Sequence, residues 1–318
     1  MEKISKLVVL HGNIYNENWR NQFKELAEET VFYDDNPIGD EEVISRLKDA
    51  DATITYWTII NKNVFDSCPN LKYVGLAQTG FNTIDLETAS EKDAVVTNVP
   101  IYGTDTVAEF VMGQLLACCR KTVQLDKTIR GGKFFDNTLR GKDLNGKTMG
   151  VIGYGKIGSR IGEIAKAFKM KVVYWDKEKL PAEREKGAEY RELTDLLKES
   201  DFISINLLLN EETKGLINQE RLALMKPEAI IVNAARGPII DETALIEALK
   251  EKRIGGAALD VFETEPLSPD SPLLNLDNIL LSAHHAWYSD GAIERLNTTV
   301  LENLKNYLAG NVTNKVNP

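Results

Sequence analysis

Apolar residues follow two rhythms along the chain. Short β-rich runs, KLVVL (6–10), TVFYD (30–34), DATITY (51–56), LKYVGLA (71–77) and AVVTN (94–98), alternate with stretches whose apolar positions recur at helical spacing. Strands separated by helices predict a parallel α/β sheet. A second alternation supplies KTMGVIG (147–153), KVVYWD (171–176), DFISINL (201–207), AIIVNAA (229–235), GGAALDV (255–261) and NILLSA (278–283). Six strands are the count of a complete doubly wound dinucleotide fold.

Between the two alternations, TDTVAEFVMGQLLACCRKTVQL opens a long helical pattern at residue 104, with Thr106 and Glu109 at capping-box spacing. Its apolar residues are too many for one exposed face, so the pattern predicts packing between domains or subunits, and a homodimer through this helix. A last amphipathic helix reads GAIERLNTTVLENLKNYLAG (291–310). No low-complexity linker or short repeat interrupts the chain, which puts the domain boundaries at the ends of connecting helices. Residues 1–100 and 288–318 then form one domain and residues 101–287 the other.

Composition narrows the ligands more than the fold. A chain of 318 residues, 43% of them hydrophobic, can bury a real core and exceeds the length at which single cores usually split. With 48 acidic against 38 basic residues its formal charge is -10, which argues against nucleic acid or an anionic membrane as the main partner. Small molecules become the expected ligands. The cysteines, Cys68, Cys118 and Cys119, lack metal-ligand or redox spacing and read as reduced structural thiols of a cytoplasmic protein, with no metal site. No apolar run suits a signal peptide or a membrane span.

Chemistry first surfaces in MGVIGYGKIGSRIGEIAKAFKMKVVYWD. Gly153, Gly155 and Gly158 have G-x-G-x-x-G spacing, with a strand before them and, after them, a helix whose Ile157, Ile161 and Ile164 share a face. The first glycine permits a tight turn, the second lets a pyrophosphate approach the backbone, and the third lets the helix lie close on the strand. Asp176 ends the next strand, where a carboxylate can bind an adenosine ribose and repel a 2'-phosphate, so NAD is favoured over NADP. Lys177 beside it weakens that preference. The loop residues Tyr154, Lys156 and Ile157 complete the expected cofactor contacts in this segment.

An enzyme that delivers hydride to a ketone needs a proton donor near the carbonyl oxygen, a group that keeps the donor charged, and a cation for any substrate carboxylate. Only three histidines are present, and two of them adjoin in LLSAHHAW (280–287). Neighbours in an extended segment point to opposite faces, so one of the pair suits chemistry and the other does not. Arg236 in NAARGPIIDE and Glu265 in LDVFETEP also fall at the carboxyl ends of late strands, where such folds bind ligands. His11, after the first strand, reads as loop structure.

In order and spacing, VIGYGKIG, NAARGPIIDETAL, ALDVFETEP and SAHHAW resemble the D-isomer-specific 2-hydroxyacid dehydrogenases, and AQTGFNTIDLETA and TNVPIYGTDTVAE extend the resemblance over nearly the whole chain. It implies two domains, a Rossmann NAD-binding domain and a flavodoxin-like parallel-sheet substrate domain, with the reaction in the cleft between them. Carried over, it makes Arg236 the clamp for the substrate carboxylate and 2-oxo group. Glu265 becomes the partner that orients a histidine and raises its pKa, and His284 the acid/base, with His285 where the family is usually aliphatic. Thr79 and Gly80 are implied as backbone contacts to the substrate carboxylate, and Ala234 and Asp260 as contacts on the cofactor side. An Asp ending a strand could equally cap the next segment.

Three positions depart from the family pattern: Asn206 and Leu208 stand where His and Pro are frequent, and Ala283 where Pro is. NVPIYGTDTVAE is most similar to the glycerate dehydrogenase or hydroxypyruvate reductase branch. Phosphoglycerate fits less well, because YWTIINKN (56–63) offers only Lys62 as a cation. Aromatic 2-oxo acids stay open through Tyr56, Trp57, Phe81, Tyr102 and Trp287. An NAD(H)-sensing binding protein, similar to corepressors of the same fold, is the reading from another class.

Overall fold

The structure, a computed structural model, describes residues 3–318. The chain divides into two compact units, one made of residues up to Tyr102 together with Ser289–Pro318, the other of Gly103–Tyr288. Each is built on its own parallel sheet.

In the first unit, strands β1 (Ile4–Val9), β2 (Ala27–Phe32), β3 (Ala52–Thr55), β4 (Tyr73–Leu76) and β5 (Val95–Thr97) pair in the order β2-β1-β3-β4-β5. Strand order reverses between β1 and β3, so the loops after these strands flank the position where open α/β sheets usually bind ligands. The C-terminal tail joins this unit for a visible reason. The Asn317 side chain accepts from Val96 N (2.9 Å) and donates to Ala94 O (2.9 Å), while Val316 N donates to Val96 O (2.9 Å), so the C-terminal tail covers the outer edge of β5. Helix Asp290–Leu308, capped by Ser289, buries Leu296, Val300 and Leu304 and carries the chain back into this unit.

The second unit holds β6 (Thr148–Ile152), β7 (Lys171–Trp175), β8 (Glu189–Tyr190), β9 (Phe202–Ile205), β10 (Ile230–Asn233), β11 (Gly256–Leu259) and β12 (Ile279–Leu281), in the order β12-β11-β10-β9-β6-β7-β8. Seven strands replace the expected six. The addition, β8, has only two residues, neither of them buried, so it carries no apolar run that a sequence pattern could register. Order reverses between β6 and β9, which puts the turn after β6 at the switch point.

Helix Thr104–Arg120 differs from expectation at both ends. Val107 N already donates to Gly103 O (2.8 Å), so Gly103 is the N-cap and Thr106 lies within the first turn; the expected Thr106–Glu109 capping box does not form. Lys121 adopts a left-handed conformation (φ 57°) and ends the helix, and a separate helix, Thr122–Arg130, follows. The apolar surplus read as an interdomain or intersubunit face is largely taken up at home. Ala108, Val111, Met112, Leu115 and Cys119 are buried in a cluster with Ile161 and Ala165 of helix Lys156–Ala167, Ile230 and Val232 of β10, and Ala258 of β11. Among the described residues no helix is long and apolar enough to cross a membrane.

Candidate active site and dinucleotide pocket

The turn after β6 has a separate physical reason for each glycine. Gly153 has φ 88°, which disfavours a side chain, and a Cβ there would also lie 2.7 Å from Asn206 O. A Cβ on Gly158 would fall 2.0 Å from Gly153 O, so only glycine lets the helix sit this close to the strand. Gly155 is the N-cap of helix Lys156–Ala167, and its missing Cβ would point into open space. That space lies at a helix N-terminus, where unsatisfied N–H groups and the helix dipole favour a phosphate. Lys156 is exposed and Ile157 half-buried in the helix's first turn.

Asp176 is tied into this turn. Its carboxylate accepts from Tyr154 N (2.8 Å) and from Lys177 N (2.9 Å), which orients it at the end of β7. The Lys177 ammonium meets Glu212 at 2.9 and 2.8 Å through both carboxylate oxygens, so the cation that sequence sets against Asp176 has its own partner. Tyr154 turns its ring away from this turn. Its ring is buried and stacked on Tyr174 with centroids 4.6 Å apart, and burial, aided by Glu163 and Tyr174, pushes its phenol up to about 12. Its N–H serves Asp176. Open space at Gly155, the helix N-terminus and a braced carboxylate together fit a dinucleotide.

The acid/base candidates gather at the carboxyl ends of β10, β11 and β12. Asn233 ends β10, and its side chain closes a turn by accepting from Ala235 N (3.0 Å) and donating to Arg236 O (2.9 Å). This fixes half-buried Ala234 and Arg236, and an Arg236 N–H donates to Ala235 O (2.7 Å). Gly237 then passes so near the next loop that a Cβ would lie 1.9 Å from Phe262 C. In that loop Glu265 accepts from Phe262 N (3.0 Å) through one oxygen and meets His284 Nδ1 (2.8 Å) through the other. Burial pushes the Glu265 carboxyl up, but the His284 and Phe262 bonds and the charges of His284 and Arg236 outweigh it and hold the group below its ordinary range.

Backbone geometry separates the two histidines. His284 is left-handed (φ 55°), and its N donates to Asp260 O (2.7 Å). Its imidazole thereby reaches Glu265. The His285 ring is exposed, with Nδ1 against Ala283 O (2.6 Å) and its edge toward Tyr288. Asp260, expected on the cofactor side, is fully buried, and its carboxylate accepts from Ser282 Oγ (2.5 Å), His285 N (2.9 Å) and Ala286 N (2.8 Å). Both oxygens are occupied by the loop, as the capping alternative for a strand-ending Asp requires.

Thr79 and Gly80 stand in the first unit, after β4. Gln78 Nε2 donates to Gly80 O (2.8 Å), Thr79 Oγ1 donates to Val99 O (2.8 Å) and Asn98 Nδ2 donates to Thr79 O (2.7 Å), so side chains brace this turn from both flanks. His11, after β1, is buried in a left-handed conformation, and burial lowers its pKa. Sequence reasoning passed over Asn233, Ser282 and Glu212. Asn233 had a legible signal, an Asx residue ending a strand before a turn; Ser282 and Glu212 matter only through partners distant in sequence.

Comparison with known proteins agrees with this geometry. Residues 112–286 match the family described as D-isomer specific 2-hydroxyacid dehydrogenase, NAD binding domain. A hydroxypyruvate reductase of Blautia hydrogenotrophica is 39% identical over 98% of this chain and 99% of its own length. A glyoxylate reductase of Pyrococcus furiosus is 39% identical over 93% of this chain and 90% of its own. Among solved structures, an acyclic imino acid reductase in complex with NADPH and D-Arg superposes with a TM-score of 0.88 at 34% identity, covering 98% of this chain and 99% of that one.

Proposed function

The chain belongs to the D-isomer specific 2-hydroxyacid dehydrogenase family, and on that premise we propose hydroxypyruvate or glyoxylate as its substrate, reduced with NADH. The reaction class is NAD-dependent reduction of a 2-oxo acid to a 2-hydroxy acid, of D configuration where the product is chiral. In it the Arg236 guanidinium pairs with the substrate carboxylate and the 2-oxo group, a planar fork suited to that arrangement. Backbone N–H groups at Thr79 and Gly80 add to carboxylate binding. When bound, the reduced nicotinamide supplies hydride to the carbonyl carbon. His284 gives a proton from Nε2 to the carbonyl oxygen, and Glu265 at Nδ1 stabilises the imidazolium that makes this transfer possible. In the reverse direction the same imidazole takes the proton back.

The observation that carries this reading is the 2.8 Å contact between His284 Nδ1 and Glu265 Oε2, on a carboxylate that also feels the Arg236 charge. The braced Asp176 and the Glu212-bound Lys177 support NADH over NADPH. Following NADH absorbance with glyoxylate, hydroxypyruvate, pyruvate and phenylpyruvate separately tests it. Hydroxypyruvate or glyoxylate should give the highest kcat/KM; NADH binding without turnover of any of them overturns the enzyme reading in favour of a sensor.

Self-association is part of the proposal. Val123, Leu125 and Ile129 on helix Thr122–Arg130, with Phe134 and Phe135 beyond it, are exposed apolar side chains close together in sequence, and they support a homodimer using this stretch beside helix Thr104–Arg120. Sedimentation as a monomer at micromolar concentration contradicts it. The unpaired thiols Cys68, Cys118 and Cys119 support a reducing, cytoplasmic setting.

A further inference from the structure

A buried chain of hydrogen bonds leads away from the catalytic histidine loop and ends on a helix the proposed reaction does not use. Gln114, in the middle of helix Thr104–Arg120, is 5% exposed, and its Nε2 donates to Ser282 Oγ at 2.7 Å. Ser282 Oγ in turn donates to Asp260 Oδ1 at 2.5 Å. The direction of this chain is forced: a carboxylate only accepts, so the single Ser282 proton goes to Asp260, and the hydroxyl oxygen is left to accept from the amide. Gln114 Oε1 is buried with no hydrogen-bond partner. An apolar side chain would avoid that cost, so what distinguishes glutamine at this point is the bond made by Nε2.

Asp260 sits at the centre of the arrangement. Its carbonyl oxygen holds His284 N, one carboxylate oxygen holds His285 N, and the other holds Ala286 N. These bonds fasten the backbone at and after His284, whose left-handed conformation is uncommon for a residue with a side chain and persists only where its surroundings over-determine it. Among the described residues, Ser282 is the one side chain that donates to this carboxylate, alongside the two backbone N–H groups it holds. We propose that Gln114 is a positioning residue for His284: through Ser282 it sets the Asp260 carboxylate, which pins the backbone that carries the imidazole. Gln114 acts three residues away from the imidazole, on hydride-transfer geometry and not on substrate affinity. The inference rests on the role proposed for His284.

The test uses the full-length protein and the variants Ser282→Ala, Ser282→Thr, Gln114→Met and the double variant Ser282→Ala/Gln114→Met. Methionine keeps the length of glutamine and removes its donor. With hydroxypyruvate and NADH, Ser282→Ala should lower kcat about tenfold and Gln114→Met about fivefold, as expected for a catalytic group displaced by a fraction of an ångström. The KM for hydroxypyruvate and the NADH dissociation constant, read by fluorescence, should stay near wild type. Ser282→Thr, which keeps the hydroxyl, should restore kcat, and the double variant should be no slower than Ser282→Ala. On the cofactor-free protein, proton NMR should show a downfield His284 Nδ1 resonance in wild type and Ser282→Thr that broadens or disappears in Ser282→Ala. Unchanged kcat in both single variants, multiplicative losses in the double variant, or losses confined to thermal stability would each overturn the proposal. If wild type turns over no 2-oxo acid, the functional reading fails, and the NMR comparison still decides the positioning role.

Discussion

The two units share an architecture and differ in how they treat polar groups at the ends of their strands. In the first, buried polar atoms of His11, Thr55 and Thr58, at and after the ends of β1 and β3, have no hydrogen-bond partner, while Gln78, Thr79 and Asn98 brace the turn after β4. In the second, Asn233, Asp260 and Glu265 each hold neighbouring loops through two or more bonds. Buried polar groups left without partners are costly, and satisfied networks are rigid. A rigid end suits proton transfer, which fails when its donor drifts; polar capacity left over at the other end suits recognition. On the function proposed above, substitutions in the second unit should therefore act mainly on kcat and those in the first mainly on KM.

Replacing His284 by Asn should have the largest effect, a fall in turnover of about 100-fold or more, the usual range for loss of a general acid/base. His285→Asn should cost only a few-fold, because Asp260 holds that residue by its backbone N–H and not by its ring. Steady-state kinetics on the two variants decides the ranking, and the reverse order would break the assignment of chemistry to position 284. Next in size, Asp176→Asn should raise kcat/KM with NADPH relative to NADH by about tenfold, since it removes a negative charge near the site expected for a 2'-phosphate. An unchanged ratio would remove Asp176 from cofactor selection.

Thr79→Val in the first unit deletes the bond from Oγ1 to Val99 O and should raise KM for hydroxypyruvate about threefold with kcat unchanged, in keeping with loss of one neutral hydrogen bond. A fall in kcat instead would erase the contrast between the units. The smallest effect concerns stability. Because the folded protein holds the Glu265 pKa below its ordinary value, this group's contribution is fully present above that ordinary value and is lost as pH falls through the lowered one. Denaturant unfolding between pH 6 and about 3 should thus show a shallower acid loss in Glu265→Gln than in wild type. Equal slopes would mean that the carboxylate is not held as described.

What the sequence made legible follows the same division between local and distant causes. Eleven of the strands announce themselves as apolar runs, most clearly the central ones that are buried, whereas β8 is a two-residue edge element with nothing apolar to read. The glycine turn was legible because strand, G-x-G-x-x-G spacing and helix follow one another directly in the sequence, with Gly158 answering a steric demand set by Gly153 itself. Tyr154 and Asp260 stand in the expected motifs, but that the Tyr154 ring packs in the core and the Asp260 carboxylate fastens a loop depends on partners up to 26 residues away, which no local pattern displays. Gln114 lies 168 residues from Ser282, and nothing in its own helix marks it out, since one amide among buried apolar positions has no periodic signature.

The central claim is that Glu265 acts through His284 as one unit, and a double-mutant cycle on kcat measures it most directly. With Glu265→Gln, His284→Asn and the combined variant assayed on hydroxypyruvate and NADH, the combined variant should be no slower than His284→Asn alone, because a carboxylate with no imidazole to support has nothing left to contribute. If the two losses multiply instead, the carboxylate serves the reaction independently of the histidine, and the pairing at the heart of this account is wrong.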